Sequence, residues 1–259
     1  MIGYLGSPGA LVALPYRGGL DVVSDRPVSF VRTLGGKRKA LLGARARREW
    51  SVSVDLAGSR DFAGLIEVAR SGGECVWYPA DAVAGNLFSP QASGFEVFSP
   101  VNAADAGLVQ LPDGTVARSV LHVSYRVTVG NGLEDPPVRP GEPVTVGAWG
   151  LNGLRLIGTW RNAVGAEVGS WDSGQLPAFS GWQWREYTVT APTNATAIRV
   201  QLMGGTQYAR PSVAWGDTAK DRPGRGCQKA IVHGLSEALT VIGSDDSYGS
   251  VGLTITEVG

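Results

Sequence analysis

The chain has 259 residues, of which 43% are hydrophobic and 18% charged, and its 23 basic and 23 acidic residues cancel. A net charge of zero argues against a dedicated nucleic-acid-binding protein, because such a protein gains most of its affinity by neutralising phosphates. No apolar run approaches the roughly 20 residues of a membrane-spanning helix, so we expect no membrane span. The 37 glycines suit short strands joined by tight turns, which predicts a mainly β protein.

The N-terminal part predicts short strands at residues 10–14, 22–23 and 28–34. A basic segment, GGKRKALLGARARR, follows at 35–48. Such a run is typical of a solvated loop, of an edge strand protected by charge, or of a nucleic-acid patch. Because it lacks the interleaved aromatic side chains that stack on bases, we prefer the loop or edge strand.

A strand and the one convincing helix come next. Residues 50–56 alternate apolar and polar side chains, as in a half-buried strand. Apolar residues then recur at i, i+3, i+4 and i+7: Phe62, Leu65, Ile66 and Ala69. This spacing predicts an amphipathic helix at about 61–71, with Asp61 as its N-cap and Gly72-Gly73 ending it through a left-handed residue. With the strand at 75–78, the segment predicts a sheet with one helix packed on it, an α+β unit.

From Asn86 to about residue 225 the pattern changes to strands only. The clearest are expected at 122–129, 144–149, 184–191 and 197–202. Short strands at this spacing, separated by Asn-Gly, Pro-Gly and Gly-Gly turns, predict a β-sandwich or jelly roll.

The last residues, 226–259, return to the first style, with strands expected at 227–233, 239–242 and 250–258. Thirty-four residues are too few to form a stable domain alone, so they should complete the N-terminal unit. The sequence therefore predicts a discontinuous domain, 1–85 plus 226–259, interrupted by an inserted sandwich at 86–225.

Both predicted domains resemble known families. Residues 1–85 with 226–259 resemble the ring-forming domain of siphophage distal tail or minor tail proteins. The shared features are the order of N-terminal strands, the WSVSVDLAG strand, one helix, the CVWYP strand and the terminal SVGLTITEVG strand. Residues 86–225 resemble a jelly-roll carbohydrate-binding module, through NLFSP, PGEPVTV and GWQWREYTVTAPTNATAIRVQL.

The resemblance implies a virion structural protein of the phage tail, assembled in the host cytoplasm. Its ring domain, a homo-oligomer of six copies in this family, would join the tail tube to the tip or baseplate. The implied partners are other copies of the chain, tube and tip proteins, and host-surface glycans contacted by the outward sandwich during host attachment. The sandwich as a purely structural spacer stays open.

No catalytic constellation is apparent in the sequence, and we expect no enzymatic activity. The two histidines, His122 and His233, are isolated, and no nucleophile motif, phosphate loop or zinc spacing occurs. One alternative is a free-standing glycan-binding protein or an accessory module of a glycan-degrading system. A weaker one is a glycoside hydrolase, which needs paired carboxylates in a cleft.

No cofactor is expected, although a structural Ca²⁺ in the insert stays open. Candidate oxygen ligands are Glu96, Asp105 and Asp217 in the insert, and the Asp245-Asp246 turn near the C-terminus. The cysteines Cys75 and Cys227 flank the insert. We interpret them as two buried thiols, with a disulfide as the alternative.

Aromatic residues are the remaining candidates, because the apolar C–H face of a pyranose packs on a flat π-surface. The candidate glycan-binding residues are Trp160, Trp171, Trp182 and Tyr208. Trp160 and Trp171 lie in a Gly-rich hairpin segment, where we expect exposure. Trp184 is interpreted as a core residue, since its strand should point Tyr187 inward.

Overall fold

The computed structural model describes residues 1–7, 9–16, 20–25, 28–32, 38–42, 47–57, 59–123, 125–132, 134–174, 179–242 and 247–258. It is mainly β, with 55% strand and 10% helix, which confirms the predicted fold class. The first strands are β1 (Ile2–Ser7), β2 (Ala10–Pro15), β3 (Asp21–Asp25), β4 (Val28–Arg32), β5 (Arg38–Leu42), β6 (Arg47–Ala57) and β7 (Cys75–Tyr78). The helices are α1 (Ser59–Ser71), α2 (Ala80–Val83) and α3 (Pro90–Ser93), with a 3₁₀ turn at Val129–Gly132.

The remaining strands follow in chain order. They are β8 (Ala103–Gln110), β9 (Val116–His122), β10 (Val127–Thr128), β11 (Pro143–Leu151), β12 (Arg155–Arg161), β13 (Glu167–Asp172), β14 (Trp182–Thr190), β15 (Ala197–Met203), β16 (Gln207–Trp215), β17 (Cys227–Ile242) and β18 (Ser247–Glu257).

The chain divides into two compact units. The first contains Met1–Gly6, Val12–Trp77 and Lys229–Gly259; the second contains Ser7–Leu11 and Tyr78–Gln228. The boundaries expected from the sequence, near 86 and 225, lie a few residues inside the second unit. The segment Ser7–Leu11 also groups with the second unit, because Gly9 lies against Thr196 and Ala163.

The first unit is built on a seven-stranded sheet in the order β2-β1-β7-β17-β18-β6-β3. Strands β17, β18, β6 and β3 pair antiparallel in turn. The basic segment contributes β5, which pairs with β4 in a separate two-stranded sheet. Arg48, at the end of that segment, forms an ion pair with Glu257 at 2.9 Å, so at least this charge is compensated within the chain.

The predicted helix is present as α1, two residues longer at its N-terminus. Asp61 therefore lies inside the first turn, and its assignment as the N-cap is wrong. Gly72 has a φ of 60° and ends the helix in the left-handed region, as predicted. Leu65 is fully buried, and α1 contacts β6.

Two strand predictions differ from the structure. The expected strand 122–129 is broken, because Tyr125 has a φ of 122° and β9 ends at His122. The apolar alternation of the sequence runs through residues 122–129, although the extended backbone is interrupted at Tyr125. Conversely, the segments 227–233 and 239–242 form one strand, β17, whose pairing with β18 shifts register twice.

The second unit is a sandwich of a four-stranded sheet, β10-β15-β12-β13, and a five-stranded sheet, β14-β11-β16-β9-β8. Trp171 of β13 stacks on Tyr187 of β14, with ring centroids 5.3 Å apart, which identifies the faces that pack together. Val146 pairs with Tyr187 and with Val213 in register and shares that inner face. The opposite side of the five-stranded sheet is the outer face.

The two ends of the sandwich segment are hydrogen-bonded to each other. The Arg225 N–H donates to the Asn86 carbonyl at 3.2 Å, and the Gly226 N–H donates to the Phe88 carbonyl at 3.0 Å. A Cβ atom at Gly224 would collide with the Phe88 carbonyl oxygen, so the close approach requires glycine there. The buried Asn86 amide also donates to the carbonyls of Pro211 and Arg222.

Candidate functional site

Two of the four predicted aromatic residues are buried and unavailable to a ligand. Trp160 is only 3% exposed, because β12 alternates and places Leu156, Gly158 and Trp160 on its inner face. Tyr208 is fully buried, and its hydroxyl bonds both the N–H and the carbonyl of Gly205 at 3.0 Å. Burial raises the pKa of Tyr208 to about 12. The exposure expected for Trp160 is therefore not found, and Tyr208 likewise lies in the core.

Trp171 has a structural position as well. Its indole lies over Gly158, where a Cβ atom would collide with Nε1 and Cε2, and it stacks on Tyr187 of the other sheet. The glycines of this segment predict exposure, but Gly158 instead leaves the space that the Trp171 indole occupies. Trp171 is half-buried and joins the two sheets at their edge, where Tyr187 stacks on its ring.

Trp182 is half-buried and lies on the outer face of the five-stranded sheet. It shares that face with Trp184, because the two residues alternate along β14, and with Trp149, which is the register partner of Trp184. Leu111 packs in the same cluster. We call these four residues, Trp149, Trp182, Trp184 and Leu111, the tryptophan face.

Trp184 was expected in the core beside Tyr187, but the two side chains lie on opposite faces because they are three residues apart on one strand. Trp184 is half-buried and lies over Gly147, where a Cβ atom would stand 2.5 Å from Cζ2. Its ring meets Trp149 edge to face, with centroids 6.2 Å apart. These contacts fix both indoles in place and leave part of the Trp184 ring open to solvent.

A network of charged groups borders the tryptophan face. The Trp149 Nε1–H donates to Asp221 Oδ2 at 2.7 Å. Arg210 lies between two carboxylates, 3.4 Å from Asp221 and 3.5 Å from Asp113. Burial raises the pKa of the Asp221 carboxyl, whereas hydrogen bonds from Thr115 lower the pKa of Asp113. The border thus combines hydrogen-bond acceptors of different proton affinity with one cation.

A β-bulge places Arg210 at this border. Register between β11 and β16 shifts at Gly147/Trp149, so Arg210 and Pro211 oppose the single residue Ala148. Arg210 has a φ of 45°, a left-handed conformation that costs energy in a non-glycine residue. Bulges of this kind redirect a side chain, and here the guanidinium reaches Asp113 on the β8–β9 connection.

The sequence identified one member of this site, Trp182. The spacing of Trp182 and Trp184 at i and i+2 was a usable signal, since such residues share one face of a strand. Trp149 is brought in by the register of β11 with β14, whereas Asp113 and Asp221 lie on the connections that follow β8 and β16. The bulge at Arg210 has no signature in the residues themselves.

The structure also bears on the metal and thiol candidates. Within the described residues, no group of three or more His, Cys, Asp or Glu side chains is placed to hold a metal ion. Asp105 forms an ion pair with Arg118 at 3.6 Å, and Asp245-Asp246 lies outside the described ranges. Cys75 and Cys227 are both buried thiols, in agreement with the two-thiol interpretation. No helix in the described part of the chain has the length and apolar character needed to cross a membrane.

Comparisons with known proteins give structural neighbours only. No protein-family model matches the sequence, and no curated protein matches it significantly. A tailspike domain of bacteriophage CBA120, described as enzymatically active, is 12% identical at a TM-score of 0.37 and covers 51% of this chain. The match spans 21% of the length of that domain.

Carbohydrate-binding modules are also among the neighbours. A module of Cellvibrio mixtus lichenase 5A, in complex with cellotriose, is 14% identical at a TM-score of 0.29; it covers 47% of this chain, and 95% of the module is matched. A module from Clostridium stercorarium, in complex with cellobiose, is 13% identical at a TM-score of 0.29, with 47% and 87% covered. Similarity at this level carries no argument about function.

Proposed function

We propose that the protein is a non-enzymatic structural component of a phage tail, whose sandwich binds host-surface glycans through the tryptophan face. The single observation that carries the glycan-binding part is the pair of half-buried indoles, Trp182 and Trp184, on the outer face of the five-stranded sheet. Solvent-exposed parts of the indoles suit the apolar C–H face of a sugar ring, and the neighbouring hydrogen-bonding groups suit its hydroxyl edge.

The chemistry of such a face follows from the structure of a pyranose. Its C–H face packs on an indole, and its hydroxyl edge exchanges hydrogen bonds with water for hydrogen bonds with protein at small net gain. The aromatic contacts then supply much of the affinity, about 0.5–1.5 kcal/mol each by analogy with aromatic pairs, or roughly a two- to tenfold change in Kd. A single sandwich should bind weakly, and several copies on one particle would bind by avidity.

The test replaces Trp182 and Trp184 with alanine, singly and together, in the full chain. Binding to host cell walls and to a glycan array is measured beside the melting temperature. We expect each single variant to bind two- to tenfold more weakly and the double variant to lose binding, with a native-like circular dichroism spectrum. Tyr125→Ala is the matched control, because Tyr125 is an aromatic residue that is 73% exposed outside the tryptophan face.

If both single variants and the double variant bind like the wild type, the tryptophan face is not the binding surface. If Tyr125→Ala weakens binding as much as they do, the effect is not specific to this face. Either result contradicts the glycan-binding part of the proposal.

The tail-ring part of the proposal concerns the first unit. It is supported by the resemblance of residues 1–85 and 226–259 to ring-forming tail domains and by the edge strand β3 of the seven-stranded sheet. Val22 and Val23 on β3 are 48% and 62% exposed, and an edge strand presents unpaired backbone groups to another chain. In a closed ring, neighbouring copies would cover such edges.

Oligomeric state separates this proposal from a free-standing glycan-binding protein or an accessory module. A tail component should form closed rings, six copies in the related family, alone or beside its tube and tip partners. Mass photometry and electron microscopy of the chain mixed with those partners measure this. Monomers under every condition, or a virion whose tail lacks the chain, would contradict the tail assignment without affecting the glycan test.

A further inference from the structure

We infer that the tryptophan face takes neutral saccharides and rejects polyanionic ones, an inference that rests on the glycan binding proposed above. Three carboxylates border the face: Asp113, Asp221 and Glu186. Glu186 follows Trp184 on the same side of β14 and is exposed, with one oxygen accepting from the Ala219 N–H at 3.1 Å. The border therefore has more negative than positive charge.

Arg210 is the cation of this border, and its charge is already engaged. Its guanidinium lies between Asp113 and Asp221 and also donates to the Val116 carbonyl at 3.4 Å. The Arg210 side chain is 14% exposed, against 34% for Asp113. An approaching ligand thus meets the Asp113 carboxylate more readily than the guanidinium.

Residues 216–220 cross one end of the tryptophan face, and they do not change this balance of charge. Gly216 and Asp217 accept hydrogen bonds from Thr145 and Thr188, which holds the segment over the sheet. Its exposed Asp217 and Lys220 carry opposite charges and cancel. The resulting field favours a ligand without negative charge, since like charges repel most strongly where part of the solvent has been displaced.

Hydrogen bonding also favours a neutral saccharide. Asp113 Oδ1 accepts hydrogen bonds from the N–H and the hydroxyl of Thr115, and Oδ2 lies 3.5 Å from the Arg210 guanidinium. Because a carboxylate oxygen has two lone pairs, Oδ2 keeps acceptor capacity. A sugar hydroxyl can donate to such an oxygen. A uronate carboxylate or a phosphodiester has no proton to donate at neutral pH and would bring a second anion to the same place.

The experiment compares matched saccharides that differ only in charge. Neutral β-1,4-linked tetrasaccharides of glucose, mannose and galactose are titrated beside their C6-oxidised uronate counterparts, with the full chain, at low salt. Tryptophan fluorescence and indole N–H shifts report binding. We expect at least one neutral member to bind ten times or more tightly than its uronate, with the ratio shrinking at high salt because the repulsion is screened.

Two variants test the assigned cause. Asp113→Asn and Asp221→Asn keep the shape of the side chains and should each bring the uronate affinity two- to tenfold closer to the neutral one. Asp105→Asn is the matched control: it removes one exposed charge on the opposite face of the β8–β9 hairpin, and the ratio should not move.

The outcomes distinguish the inference from the proposed function. A uronate that binds as tightly as its neutral counterpart, with indole signals that respond, overturns the inference and leaves glycan binding intact. An unchanged ratio in both aspartate variants overturns the assignment to these carboxylates. If no member of either series perturbs the indoles, and Trp182→Ala leaves cell-wall binding unchanged, the proposed function itself fails.

Discussion

Gly158 gives the sharpest test of how the sandwich is packed. It lies on β12 beneath the Trp171 indole, and a Cβ atom there would stand 2.6 Å from Cζ2 and closer still to Nε1 and Cε2. Real Cβ atoms essentially never come within 3.0 Å of a neighbour, so in Gly158→Ala the indole must move. Moving it disturbs the stacking on Tyr187 that joins the two sheets.

The magnitude can be worked out from these contacts. Overpacking costs about 1–3 kcal/mol, and loss of the aromatic pair costs about 0.5–1.5 kcal/mol more. Replacing glycine returns about 0.4–1 kcal/mol by restricting the unfolded chain. We expect Gly158→Ala to lower the free energy of unfolding by about 0.5–4 kcal/mol, measured by urea denaturation of the full chain and followed by circular dichroism.

A double-mutant cycle isolates the cause. In a Trp171→Ala background the clash is gone, so Gly158→Ala should be neutral or slightly stabilising. Gly73→Ala is the control, because its nearest atom would be the Ser71 Oγ at 3.8 Å. The reasoning is refuted if Gly158→Ala has the same cost with and without Trp171, or has no cost in the wild type.

Two further predictions concern burial. Trp160→Ala should cost about 3–5 kcal/mol as a large-to-small core change. Val164→Ala, at a site 86% exposed in the turn between β12 and β13, should stay within about 0.5 kcal/mol, and urea denaturation of both variants checks this. Burial raises the pKa of the Cys75 thiol to about 11, so at pH 8 it stays protonated in the folded protein and should react with a thiol reagent far more slowly than in urea. Rapid labelling of Cys75 in the native protein would contradict that burial.

The sequence predicts regular elements well where the pattern of apolar residues is local. The strand at 75–78, the helix near 61–71 and its end at Gly72 follow from alternation, helical spacing and glycine, and the structure has all three. These are local properties, fixed by residues close together in the chain.

The site could not be read in the same way because it depends on register and bulges. Trp160 looked exposed because glycines surround it, yet those glycines make room for an indole from a neighbouring strand. The inward position of Tyr187 predicts a core position for Trp184, yet the odd spacing of the two residues on β14 places them on opposite faces. Arg210 reaches Asp113 and Asp221 only because two residues of β16 oppose one residue of β11.

The hydrogen-bonded ends of the sandwich segment have a consequence for how such a chain can be rearranged. Because Asn86 and Phe88 meet Arg225 and Gly226, the segment begins and ends at nearly one point. A host loop can then accept or lose about 140 residues at the entropic cost of a short loop, since closure depends on the distance between the ends and only weakly on length. The position of its ends thus suits the sandwich to exchange for another domain. A circular permutant joined at these ends should keep the same order of strands in each sheet.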